Sequence, residues 1–211
     1  NLTLGGAYGS GDMFIAKFNN SGVAQWTKRA GGNNSDSPSS IKTDGNGNVY
    51  ALGTYRGSNI TVGSVVLTNG HNGQDELFLA KYDTNGGTVW ALSGTGTNIS
   101  TAIAAGSGLE VPRSMDIDAQ NNIYIGGHFA TAKLGFQSTV LNNAGAEGTY
   151  DLFMAKFNDA GALQWIKREG GNGNEYLTDL AQDNQGRIDI NGSYINVYNA
   201  YSFTIGTTLL S

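Results

Sequence analysis

The sequence predicts an all-β chain built from three repeated four-stranded antiparallel units, and three observations carry that prediction. One phrase is spelled three times: "DMFIAKFNNSGVAQW" from Asp12, "DELFLAKYDTNGGTVW" from Asp75 and "DLFMAKFNDAGALQW" from Asp151. Within it the apolar residues alternate with period two, the signature of strands. Thirty-two glycines, two prolines and no cysteine in 211 residues fit short strands and tight turns.

Taking the elements in order, "DMFIAKFN" sends Phe14, Ala16 and Phe18 to one face and Met13, Ile15 and Lys17 to the other. Both faces are largely apolar, so this strand is expected to be covered on both sides. The turns "NNSG", "DTNGG" and "NDAG" tolerate positive φ, as hairpins require. A second strand contains Trp26, Trp90 or Trp165, and a third passes through Ile41, Met115 or Leu180. The turns "DGNGN", "DAQNN" and "DNQGR" lead to a fourth strand with Gly53, Gly127 or Gly192, and a short strand, "NITVGSVVLT", leads to the next unit. Lys17, Lys81 and Lys156 recur at intervals of 64 and 75 residues. The longer interval reflects ten extra residues in "SGTGTNISTAIAAGSGLEVP", since Trp90 to Met115 spans 25 residues where Trp26 to Ile41 spans 15.

Such a unit cannot bury both faces alone. Stacking copies around an axis covers them, so the expected architecture is a β-propeller with one unit per blade. The units fall at approximately 1–58, 59–133 and 134–211. Closed rings have typically four to eight blades, and three leave two blade faces open. The chain is therefore read as part of a longer protein with further blades, the alternative being chains that associate to close one ring.

The phrase D-x-F-[ILM]-A-K-[FY], a turn and Trp, followed by D-x-x-[GN]-N-[VI]-Y-x-x-G, resembles the bacterial SBBP repeat. The third copy departs from it, with Asp189 where Tyr50 and Tyr124 stand. The resemblance implies a secreted or surface-attached β-propeller protein, often of Bacteroidota and carried by type IX secretion.

The net charge of −5 lacks the clustered Lys and Arg that phosphate backbones require, so nucleic acid is not an expected partner. No apolar run approaches the roughly 20 residues that span a bilayer, so no membrane insertion is expected. Without cysteine there are no disulfides and no thiolate zinc sites.

Several residues invite a chemical reading. The three Trp could stack on sugar rings, but recurrence at one offset favours packing between blades. Lys17, Lys81 and Lys156 are read as covering apolar neighbours and pairing with carboxylates, with Asp44, Asp118 and Asp183 as possible partners. "DGNGN" and "DTNGG" are oxygen-rich like calcium loops but lack the distal Glu, so no cofactor is expected and calcium is the one the loops leave open. For catalysis, His71 and His128 lie in different contexts, and Glu110 with Asp116 is the one acid pair beside an unusual loop. No catalytic or metal residue is assigned. Asn59, Asn98 and Asn191 head Asn-x-Ser/Thr triplets expected by chance. The insertion between Gly94 and Pro112 is the first place to expect binding, and Lys28, Arg29, Lys167 and Arg168 near strand ends are the second.

These readings predict a non-enzymatic extracellular module: an adhesion or structural scaffold, or a protein-binding platform, on a bacterial surface or secreted protein. Its partners would be other blades and an extracellular protein or glycan. A glycan-binding lectin is the alternative, and a glycoside hydrolase a more distant one.

Overall fold

The computed structural model describes residues 9–70, 73–94, 110–145, 148–183, 185–195, 203–205 and 208–210. Every regular element among them is a strand: β1 (Met13–Phe18), β2 (Ala24–Gly32), β3 (Asp36–Thr43), β4 (Val49–Tyr55), β5 (Asn59–Val62), β6 (Val65–Thr68), β7 (Glu76–Tyr82), β8 (Thr88–Ser93) and β9 (Glu110–Ile117). There follow β10 (Ile123–Phe129), β11 (Lys133–Phe136), β12 (Thr139–Asn142), β13 (Asp151–Phe157), β14 (Leu163–Glu169), β15 (Asn174–Gln182), β16 (Ile188–Ile195), β17 (Phe203–Ile205) and β18 (Thr208–Leu210).

Two complete antiparallel blades form, in the orders β3-β4-β7-β8 and β9-β10-β13-β14. Each takes two strands from one copy of the repeat and two from the next, which corrects the expectation that four consecutive strands form one sheet. The described strands therefore comprise an outer half-blade (β1-β2), two whole blades and an inner half-blade (β15-β16). The link from β2 to β3 is a crossing between blades, not a hairpin. At its end Asp36 accepts a hydrogen bond from Gly32 N at 2.7 Å and donates its own N–H to Gly11 O at 2.8 Å, which turns the chain into the next sheet. Glu175 does the same, accepting from Gly171 N at 3.1 Å and donating its N–H to Tyr150 O at 2.7 Å. The expected single short strand "NITVGSVVLT" is a hairpin, β5-β6, and β5 pairs with β2 of the preceding blade.

Strands β3, β9 and β15 lie next to one another and so form the inner edge of the array. Each carries one bulge at the same offset, between Pro38 and Ser40, between Pro112 and Ser114, and between Leu177 and Asp179. The chain's two prolines precede two of these bulges, where a missing N–H is tolerated on an edge strand. The extra residues Ser39, Arg113 and Thr178 are exposed.

The core lies in the seams between blades. Met13, Ile15 and Trp26 pack against Val49, Tyr55 and Phe78 in one seam, and Leu52, Leu77 and Leu79 against Met115, Ile125 and Phe153 in the next. All seven residues of β7 and all of β10 are buried, whereas β1, expected to be covered on both sides, leaves Phe14 and Phe18 exposed because no described strand packs on that face. At about 1.5–3 kcal/mol for each large apolar side chain removed from water, these seams hold the blades together. A third, much smaller cluster joins Leu152, Leu177 and Ile190 at the inner half-blade.

Candidate functional site

The recurring polar residues gather at one end of the blades, around the turns. Asp44 Oδ1 accepts from Asn46 N and Asn48 N, both at 2.9 Å, and Oδ2 accepts from Asn48 Nδ2 and Tyr50 OH. Asp118 repeats the pattern with Gln120, Asn122 and Tyr124, and Asp183 with Gln185 and Arg187. Burial alone would raise the carboxyls of Asp44 and Asp118, but these hydrogen bonds outweigh it and hold both below the ordinary value. The lone pairs a calcium ion would use are thus directed at N–H and O–H donors, and the loops do not fit a cation. Asp83 in "DTNGG" is likewise engaged by Asn85 N and Gly87 N. No cluster of three metal-ligating side chains occurs among the described residues.

Around this turn the next blade inserts. Tyr50 lies across the strands from Lys81, whose ammonium is 5.3 Å from the ring centroid, and Asp159 of the following blade accepts from Lys81 Nζ and lies 2.8 Å from Tyr50 OH, competing with Asp44 for the hydroxyl's one proton. Trp26 Nε1 donates to Thr84 O at 2.9 Å and Trp90 Nε1 to Asp159 O at 3.1 Å, each reaching the turn of the next blade. Trp26, Trp90, Lys17 and Lys81 therefore fasten blade to blade, with Lys17 Nζ held by Gly47 O at 2.9 Å. Of the carboxylates expected to pair with the lysines, Asp118 does, at 3.9 Å from Lys156, whereas Lys81 takes Asp159, Lys17 a backbone carbonyl, and Asp183 pairs with Arg187. At Tyr124 and Lys156 the same end opens as a polar cleft of about 480 Å³, lined also by Gln120, Gln182 and Gly186.

The opposite end holds paired acids that sequence reading did not recognise. Glu110 accepts from Leu77 N at 3.2 Å and, like Glu76, borders Gly94, at the far end of β9 from Asp116, so the Glu110–Asp116 pair, to which the sequence assigns no role, is not brought together. The pairs actually formed are Asp12 with Asp36, Glu76 with Glu110 and Asp151 with Glu175, one per seam. Burial, opposed by the Gly32 N–H and reinforced by Asp12, pushes Asp36 up to about 6. Burial chiefly, with the Asp151 carboxyl beside it, pushes Glu175 up to about 7. Gly170 sits against the pair, and a methyl carbon there would lie 2.4 Å from Asp151 Oδ1 and 2.6 Å from Glu175 Oε2. The signal was present as acids recurring at fixed offsets, Asp12/Glu76/Asp151 and Asp36/Glu110/Glu175. Arg168 bonds Asp151 at 3.0 Å and Arg29 lies 3.7 Å from Asp12, so these arginines serve the acids; Lys167 is exposed and Lys28 lies alongside Gly86.

Beside the last acid pair stands a cluster that the repeat does not explain. His128 is buried edge-on between Tyr150 and Tyr176, with ring centroids at 5.2 and 5.1 Å, and the two tyrosines are 5.4 Å apart. Burial first, then the charge of Arg113, lowers His128 to about 4, so it is neutral near pH 7. Thr54 and Ser193 occupy its equivalents. His71, Asn98 and residues 95–109 of the insertion lie outside the described residues; Asn59 begins β5 and Asn191 is exposed on β16.

Residues 25–54 match the family model described as Beta-propeller repeat. An uncharacterized WD repeat-containing protein of Acanthamoeba polyphaga mimivirus is 28% identical over 181 residues, covering 80% of this chain. The chain spans 12% of that relative's length. Four-stranded antiparallel sheets seamed face to face, around a segment carrying that repeat, make this an all-β chain of β-propeller blades.

Proposed function

We propose that this chain is a non-catalytic scaffold module that presents a protein-binding platform, in a secreted or cell-surface setting of the kind served by type IX secretion in Bacteroidota. One observation carries the reading: the repeated groups with chemical potential, Trp26, Trp90, Lys17, Lys81 and the paired acids, are spent on blade-to-blade contacts. What varies between copies is left for recognition on a rigid frame. Cross-linking the chain to intact cells that produce it, followed by calorimetry with each purified candidate, should give saturable binding to a surface or secreted protein. Turnover of glycoside substrates by the chain would overturn the proposal.

A second reading, glycan binding, is favoured by the Tyr150–Tyr176 cluster, since half-buried aromatic rings suit the C–H face of a pyranose. A glycan array signal abolished by Tyr150→Ala and Tyr176→Ala would support it over the first.

A further inference from the structure

Two tyrosine rings meet across the seam that has the least apolar packing. Tyr150 immediately precedes β13 in the second whole blade, and Tyr176 lies on β15 in the inner half-blade. Their ring centroids are 5.4 Å apart and the planes are tilted by 40°, so the rings are in contact. Among the described residues this is the one contact between two tyrosine rings. The surroundings fix it. Tyr150 N donates to Asn174 Oδ1 at 2.9 Å, Glu175 N donates to Tyr150 O at 2.7 Å, and His128, 2% exposed, stands edge-on against both rings.

The repeat does not call for these rings. Gly11 and Asp75 stand where Tyr150 does, and Ser37 and Val111 where Tyr176 does. What sets this seam apart is its thin core: Leu152, Leu177 and Ile190 make up its cluster, whereas the other two seams each enclose several aromatic rings. A chain without cysteine has no disulfide to tie such a seam.

We propose that Tyr150 and Tyr176 form a modification site, at which a peroxidase acting with hydrogen peroxide joins the two rings into dityrosine and ties the inner half-blade to the whole blade beside it. Each phenol gives up one electron and one proton, and the two phenoxyl radicals couple through the ring carbons next to their oxygens. The ring hydrogens at the new bond then move to those oxygens and restore both phenols. Hydrogen peroxide takes up the two electrons and two protons and leaves as two waters. Both rings are half-buried and so open to an oxidant, whereas Tyr50, Tyr55, Tyr82 and Tyr124 are buried. Fixed proximity makes the coupling a reaction within one chain, which favours it over coupling between chains. The link closes the chain from Tyr150 to Tyr176 into a loop, and a cross-link of that kind stabilises mainly by constraining the unfolded chain.

The purified chain at micromolar concentration, treated with a plant peroxidase and hydrogen peroxide, should give a product of single-chain mass lighter by two hydrogen atoms. It should carry the blue fluorescence of dityrosine, and proteolysis should release one fragment that joins the Tyr150 and Tyr176 peptides. Tyr150→Phe and Tyr176→Phe keep the rings and the strand signal in circular dichroism but cannot couple, so each should lower the single-chain fluorescence yield at least about tenfold. Tyr194→Phe, which removes an exposed tyrosine on β16, should leave that yield unchanged. The joined chain should unfold at higher urea than Tyr176→Phe treated in the same way. A parent that yields no joined fragment, or a single-chain product that survives in both phenylalanine variants, would refute the inference.

Discussion

The seam around Tyr50 and the seam around Tyr124 are built from the same residues at the same offsets, yet one is closed and the other open. At Tyr50 the turn of the next blade brings Asp159 onto the hydroxyl and onto Lys81, and Gly161 of that turn lies under Trp90. At Tyr124 the Asp118–Asn122–Tyr124 network is already in place, but no turn among the described residues enters, and Lys156 lines a cleft instead. Each blade therefore prepares its own half of a seam, and the neighbour supplies the cap. Local hydrogen bonds set the receptor, and packing of the neighbour sets the stability.

The sharpest way to break the comparison is to remove a ring that a seam has closed over. Phe153→Ala should cost about 3–5 kcal/mol in urea unfolding, because its site is filled on every side. Next in size is the cap: Asp159→Ala leaves the buried ammonium of Lys81 without its carboxylate and should cost about 1–3 kcal/mol. Replacing Asn20, the equivalent residue of the first turn, should cost less than about 0.5 kcal/mol in the single chain. Adding Lys81→Met to Asp159→Ala should recover part of the loss, and failure to do so would place the cost outside this pair.

A third test reads the acid end. In the folded chain Glu175 keeps its proton up to about 7, against an ordinary value of 4.5, and Asp36 up to about 6, against 3.8. Between those limits the folded state holds protons the unfolded chain has released, so their contribution is complete at low pH and is lost as pH rises toward 7. His128 acts oppositely: held at about 4 against 6.5, its contribution is complete above 6.5 and lost as pH falls toward 4. Urea midpoints at pH 7.5 and 5.5 should show a smaller gain on acidification in Glu175→Gln than in the parent. A last comparison lies at the turn glycines. Gly22→Ala should cost about 1–2 kcal/mol for its positive φ alone, and Gly161→Ala more, because the methyl also meets Trp90.

Much of this was legible in the residues. Alternation in "DMFIAKF" told correctly that Met13 and Ile15 face one way and Phe14 and Phe18 the other, and recurrence of Trp at one offset told correctly that it packs. The phase of the blades was not legible, because "GGNNSD" between β2 and β3 has the small polar residues of a hairpin and differs from one only in the capping role of Asp36. Nor was the fate of Phe14, which reads like Phe78 and Phe153 and is exposed only because of what stands beside it. The His128–Tyr150–Tyr176 cluster draws on β10, β15 and the residue just before β13, and no periodicity brings them together on paper.

The bulges on β3, β9 and β15 carry an evolutionary consequence. Each ejects one residue from the ladder, and Ser39, Arg113 and Thr178 show how unlike those residues can be while the flanking pairs keep their register. A hydroxyl, a guanidinium and a second hydroxyl stand exposed along the inner edge strands, at positions outside the ladder. Mutation can therefore rewrite the chemistry of that edge, blade by blade, while the surrounding architecture stays under unchanged selection.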